Sequence, residues 1–128
     1  MKFLIDEALG LPLAKALREL GQEDVHHVTE ILRSGADDEE VFQYAGENEY
    51  FIITRDNRIR YKPNERAAIR KYKVGVFLLA GKNKSAMEIA VQLISNWEKI
   101  VECSQKTYKP FLRRVRSRGT KIEELDLY

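Results

Sequence analysis

The sequence predicts an α/β fold, a three-layer α/β/α sandwich around a mostly parallel central sheet. Three observations lead there. Phe3-Leu4-Ile5, Phe51-Ile52-Ile53 and Val74-Gly75-Val76-Phe77-Leu78-Leu79 are branched and aromatic runs without polar alternation, the pattern of strands buried on both faces. Segments of helical periodicity separate these runs, and crossovers of that kind put helices on both sides of a parallel sheet. Two of the runs end in acid, at Asp6-Glu7 and at Thr54-Arg55-Asp56, and in such sheets ligands gather outside the carboxyl ends of the strands.

The first strand, Phe3 to Ile5, is followed by Leu11-Pro12-Leu13, where Pro sits in the first turn of a helix. Leu13, Ala16, Leu17 and Leu20 keep one face of that helix apolar, and Gly21 stops it. Asp24-Val25-His26-His27-Val28 reads as a short second strand, and Asp37 to Ala45 as a second helix carrying Val41, Phe42 and Ala45. The third strand is Phe51 to Thr54. A polar, basic segment from Arg55 to Lys62 leads through Pro63 into a short helix around Glu65 to Tyr72, and Val74 to Leu79 supplies a central strand. Ser85-Ala86-Met87-Glu88 has the form of a capping box, behind which Ala86, Ala90, Leu93, Ile94, Trp97, Ile100 and Val101 recur at the spacing of one long helix. Past Pro110, the alternation in Phe111 to Val115 and in Lys121 to Leu125, with Gly119 between, predicts a terminal hairpin, the alternative being a frayed basic tail.

The 128 residues and their 44% hydrophobic content suffice for a single domain spanning 1–128, and no Pro/Gly/Ser-rich linker divides them. The basic C-terminal stretch, about 106–121, reads either as part of the hairpin or as an extension that contacts RNA or a partner. No run approaches the roughly 20 apolar residues of a membrane span, so a soluble, cytoplasmic protein is expected. The single cysteine, Cys103, excludes an internal disulfide and a thiolate-rich metal site. The overall charge of +2 conceals a division: residues 1–50 hold 4 basic and 12 acidic side chains, a net −8, and residues 51–128 hold 18 and 8, a net +10. A basic half suits a polyanionic partner and an acidic half suits a cation, although an unevenly charged solvated surface has the same composition.

The candidate site residues follow from the strand ends. Asp6 and Asp56 come directly after buried strands, where an unpartnered carboxylate is costly to desolvate. The group Asp37-Asp38-Glu39-Glu40 lies between them at a helix start. Asp37 with Glu40 fits a capping box, and acids in a first turn are favoured by the helix dipole, so Asp38 is either a ligand or a helix-start acid. Oxygen donors of this kind suit Mg²⁺ or Mn²⁺, ions that retain water and bridge to substrate phosphate. Thr54 either orients water or satisfies the strand end, and Glu7 is a supporting acid. Arg55, Arg58, Arg60 and Lys62 stand beside Asp56, where phosphates would be held, or form a solvated loop. Lys109, Arg113, Arg114, Arg116 and Arg118 form a denser basic stretch for RNA backbone or an acidic partner. The adjacent His26 and His27 lack the spacing of a zinc pair and read as packing or surface residues, while Tyr61 and Tyr72 either stack on bases or belong to the core.

In order and spacing, Phe3-Leu4-Ile5-Asp6-Glu7, Leu17-Arg18-Glu19-Leu20-Gly21 with Asp24-Val25, Asp38-Glu39-Glu40-Val41 leading to Ala45, and Ile53-Thr54-Arg55-Asp56 resemble the PIN-like nucleases. The segment from Asn57-Arg58-Ile59-Arg60 through Lys62-Pro63 to Lys109-Pro110-Phe111 resembles the small branch containing VapC-type toxins of toxin–antitoxin pairs. The resemblance implies a metal-dependent endoribonuclease in which Asp6, Asp38 and Asp56 hold Mg²⁺ or Mn²⁺ and Thr54 positions water. It also implies a homodimer and an antitoxin that covers the acidic pocket, often with a basic side chain. Many PIN proteins carry a further acid two positions after the one matching Asp56, where this chain has Arg58, so a depleted site holding one ion is expected. Two other functions share parts of the pattern: a PIN-like RNA-binding module that does not cleave, and a receiver-like phosphoacceptor. Against the latter, Arg58 and Arg60 replace the small Gly-containing loop that follows the phosphorylated acid in receivers.

Overall fold

The computed structural model describes residues 1–116, 119 and 121–128. Strands β1 (Lys2–Ile5), β2 (Val25–His27), β3 (Tyr50–Thr54), β4 (Gly75–Leu79), β5 (Phe111–Val115) and β6 (Glu123–Leu125) form one sheet in the order β2-β1-β3-β4-β5-β6. The first five are parallel and β6 runs antiparallel to β5. The terminal hairpin expected from the alternation is therefore present. Arg118, assigned to the basic stretch from the sequence, lies outside the described residues.

Successive side chains of a strand alternate between the two faces, and the core divides accordingly. Leu4, Ile52, Val76, Leu78 and Leu112 meet α3 (Asp38–Glu47) and α4 (Pro63–Tyr72) through Val41, Phe42, Ala45 and Ile69. Phe3, Ile5, Phe51, Ile53, Phe77 and Phe111 meet α1 (Leu11–Glu19), α5 (Ala86–Ser95) and α6 (Trp97–Lys106) through Leu17, Leu93, Trp97 and Ile100. Both faces of β3 and β4 are buried along their whole length, which is why these strands carry no polar alternation. Gly75 lets the aromatic layer close, because a Cβ there would come within 2.6 Å of the Phe111 ring and 2.7 Å of Phe51.

The structure departs from the sequence reading in three places. The long helix expected over Ala86 to Val101 is two helices, α5 and α6, divided at Asn96, which is buried and donates from Nδ2 to the carbonyls of Gln92 and Arg116. A side-chain amide that bonds the backbone competes with the helical ladder, and the chain bends there. A short helix, α2 (Val28–Ile31), follows β2 directly and is capped by His27. Nε2 of His27 donates to the Leu9 carbonyl at 2.6 Å while Nδ1 accepts from the Thr29 amide at 3.2 Å, which gives this buried histidine a packing and capping role. Finally, the basic segment after β3 contains a 3₁₀ helix, Asn57–Tyr61, anchored by buried Ile59.

Candidate metal and nucleic-acid site

The topology determines which acids can meet. Asp6 leaves the carboxyl end of β1 and Asp56 lies two residues past the end of β3. Helices α3 and α4 are crossovers into β3 and β4, so each begins at the carboxyl edge of the sheet, and α3 starts at Asp38. One narrow cleft collects the side chains of Asp6, Asp38, Thr54, Asp56 and Glu65 over an apolar floor that includes Phe42, Ile52 and Ile59. Its volume of ≈ 10 Å³ is about the room that one water or one bare ion needs.

Each carboxylate is held by identifiable neighbours. The hydroxyl of Thr54, itself buried, donates to Asp6 Oδ2 at 2.9 Å and accepts from the Asp56 amide at 3.1 Å, so one side chain sets two of the acids. Burial pushes the Asp6 carboxyl above its ordinary value, and the Asp38 charge adds to that, against the opposing Thr54 bond. Glu7 accepts from the Gly35 amide and the Ser34 hydroxyl, both at 2.8 Å, and thereby ties the turn before α3 to the end of β1. Asp37 caps α3 by accepting from the Glu40 amide at 2.8 Å, but the Glu40 carboxylate is turned to Arg33 at 2.6 Å, so the capping box inferred at this helix is only half formed. Asp38 is thus one position inside the cap, exposed towards the cleft.

Glu65 is the residue that sequence reasoning missed. It is the third residue of α4, buried to 8% exposure, and ligand atoms of Asp38, Asp56 and Glu65 all lie within 4.8 Å of one another. Lys62 Nζ reaches Glu65 Oε1 at 3.5 Å; Oε2 is buried without a donor from another residue, and when Glu65 is protonated its carboxyl bonds the Asp38 carboxylate. Burial, with the neighbouring Asp38 carboxylate acting in the same direction, pushes the Glu65 carboxyl up to about 7. A buried acceptor left unsatisfied costs about 1–3 kcal/mol, and more for a charged group. A divalent cation among three carboxylates would satisfy it, and hard oxygen donors are the set that Mg²⁺ and Mn²⁺ prefer. The residues present therefore fit such an ion, and α4 supplies an acid to the cleft that has Arg58 where many PIN proteins carry one. The signal available in the sequence was topological: an acid in the first turn of a crossover helix lies at the same sheet edge as the acid that ends the preceding strand.

The cationic residues assigned to this region divide by role. Arg58 Nε and the Arg58 amide each donate to Asp56 Oδ1 at 3.1 Å, and the Arg58 side chain is 76% exposed. Burial by itself would raise the Asp56 carboxyl, but its bonds to Arg58 prevail and hold it below the ordinary value. Arg55 donates to the Gly81 carbonyl at 3.3 Å, which Asn57 also approaches, so Arg55 fastens the segment after β3 to the loop after β4. Arg60 stacks over the Tyr61 ring at 5.2 Å, and Tyr61 is exposed. Arg114 pairs with Glu123 at 2.7 Å across β5 and β6, Arg116 pairs with the same carboxylate at 2.6 Å, and Arg113 lies 5.9 Å over Phe111. Arg113, Arg114 and Arg116 thus have structural neighbours within the hairpin.

Two helices that each carry an acid of the cluster must be held in register, and α3 and α4 touch at Gly46, where a Cβ would come within 2.3 Å of the Tyr72 carbonyl oxygen. The acid cluster of this mostly parallel α/β/α sandwich lies outside the carboxyl ends of the strands, where open α/β sheets bind their ligands. Residues 1–81 match the family described as PIN like domain, and the chain belongs to that family, whose members are generally nucleases that use divalent metals. No curated protein and no solved structure matches the chain significantly. Among the described residues, no helix is long and apolar enough to cross a membrane.

Proposed function

We propose that this protein is a metal-dependent endoribonuclease that hydrolyses RNA phosphodiester bonds at the cleft between α3, α4 and the ends of β1 and β3. The observation that carries the reading is the cluster of Asp38, Asp56 and the buried Glu65, whose carboxylate oxygens lie within 4.8 Å of one another. In this reading Asp38, Asp56 and Glu65 hold Mg²⁺ or Mn²⁺, with Asp6 lining the same cleft as a fourth acid. The chemistry such an ion supplies is polarisation of the phosphoryl group and a lowered pKa for attacking water. Asp6, its carboxyl raised by burial, is suited to take the proton from that water, and Thr54 orients the Asp6 carboxylate for this through the hydroxyl proton it donates. The exposed 3₁₀ helix presents Arg58 to the RNA backbone and Tyr61 to an unpaired base. Arg60 and Lys62 flank these residues.

Within the family, the toxin of a toxin–antitoxin pair is our preferred setting. The exposed 3₁₀ segment is the surface for RNA and a cognate antitoxin covers the acid cleft beside it, and the protein acts in the cytoplasm, as a homodimer in this setting. Family membership sets the receiver-like alternative aside. One observation favours a second reading, an RNA-binding domain that does not cleave: the Arg58 guanidinium already occupies one oxygen of Asp56. Incubating structured RNAs, tRNA included, with wild type and Asp56→Asn in Mg²⁺ or Mn²⁺ decides between them. Cleavage that is lost in both the variant and EDTA supports the nuclease. RNA binding without cleavage, in a folded protein with either metal, selects the binding module.

A further inference from the structure

Arg58 stands at the mouth of the acid cleft with only part of its guanidinium engaged. Its Nε is fixed on Asp56 Oδ1 at 3.1 Å, and no partner is found among the described residues for its terminal Nη groups. The backbone is fixed as well, because the Arg58 amide bonds the same oxygen and Ile59, the next residue, is buried in the cleft floor. The charges of Asp56, Glu65 and Asp38 all act on this guanidinium. The cleft itself has room for about one ion.

Two-metal phosphodiesterase sites place a second cation about 3.5–4 Å from the first, where it stabilises charge on the phosphate oxygens. An arginine with a fork of free N–H donors can meet the same demand, because its charge is permanent and its geometry matches two phosphate oxygens. We propose that Arg58 takes the part of the second cation: anchored through Nε on Asp56, it binds a non-bridging oxygen of the RNA phosphate through its Nη groups, and the site operates with a single divalent ion. This rests on the nuclease reading above. It adds to that reading the group that faces the phosphate and a structural reason for the single ion expected from the sequence, and it explains how four carboxylates can share a cleft with a polyanionic substrate.

The test combines ion counting with RNA binding. Mn²⁺ titration followed by electron paramagnetic resonance should give one ion per wild-type chain and none in Asp56→Asn. In EDTA, where no ion is present, Arg58→Gln should bind single-stranded RNA about 10-fold more weakly than wild type and lower the salt slope by about one, with Arg58→Lys between the two. Because the side chain is exposed, both variants should keep the wild-type melting temperature in EDTA to within a few degrees. Two ions in wild type, or unchanged RNA affinity and salt slope in Arg58→Gln, would overturn the assignment of Arg58 while leaving the nuclease reading in place. No Mn²⁺ bound by wild type would remove both.

Discussion

Replacing Glu65 by Gln should stabilise the metal-free protein and abolish its response to Mn²⁺. The carboxyl is buried to 8% exposure and titrates at about 7, against an ordinary value of 4.5. A raised value means that the neutral form is the one the fold favours, so its contribution to stability is complete below pH 4.5 and is lost as the pH rises through about 7. At about 1.36 kcal/mol per pH unit, the interval between those two values sets a ceiling of about 3 kcal/mol on the loss. Gln keeps the shape and never ionises. Urea unfolding in EDTA should therefore give similar stabilities for wild type and variant at pH 4.5, and a variant more stable by about 1–3 kcal/mol at pH 8. Added Mn²⁺ should reverse the order, since an ion at about 1,000 times its dissociation constant stabilises wild type by about 4.1 kcal/mol. A variant less stable than wild type at pH 8 in EDTA would mean that ionised Glu65 is not a cost to the fold, and one equally stabilised by Mn²⁺ would mean that Glu65 does not hold the ion.

Gly46→Ala should cost about 1–3 kcal/mol by overpacking against the Tyr72 carbonyl, and because it pushes α3 from α4 it should also weaken Mn²⁺ binding; urea melts and Mn²⁺ titration read the two effects. Thr54→Val removes the donor to Asp6 and the acceptor for the Asp56 amide, so cleavage should fall while Thr54→Ser retains most of it, and single-turnover assays on the two variants make the comparison. Arg18 grips Glu30 through two bonds of 2.7 and 2.8 Å and, with burial opposing it, lowers that carboxyl to about 2. The stability this pair contributes is present above pH 4.5 and lost as the pH falls through about 2, so Glu30→Gln should cost about 1 kcal/mol at pH 7 after allowance for solvent screening, and nothing near pH 2, in denaturant melts across that range.

Much of this architecture is written in local pattern. The three apolar runs announce central strands because β3 and β4 are buried on both faces, and Pro12 and Gly21 mark the ends of α1 by backbone chemistry alone. Asn96 was not legible as a break, since the apolar spacing of α5 continues through it into α6 and only the buried carbonyls of Gln92 and Arg116 draw its amide inward. At the site, Asp6 and Asp56 declare themselves by following buried strands. Glu65 does not, because an acid in the first turn after Pro63 has a sufficient local explanation in the helix dipole, and its burial depends on the packing of α4 on α3. Arg55 and Arg114 read as nucleic-acid contacts from charge alone, yet Arg55 is held by Gly81 from a distant segment and Arg114 by Glu123 from the facing strand of the hairpin.

The central claim is that Asp38, Asp56 and Glu65 form one metal-dependent hydrolytic site. Single-turnover cleavage of an RNA panel in Mn²⁺ by wild type, Asp56→Asn and Glu65→Gln tests it most directly. The account predicts wild-type cleavage that EDTA abolishes, and a loss of about 100-fold or more in each variant although Glu65→Gln is the more stable metal-free protein. Cleavage by Glu65→Gln at the wild-type rate, or wild-type cleavage that persists in EDTA, would contradict it.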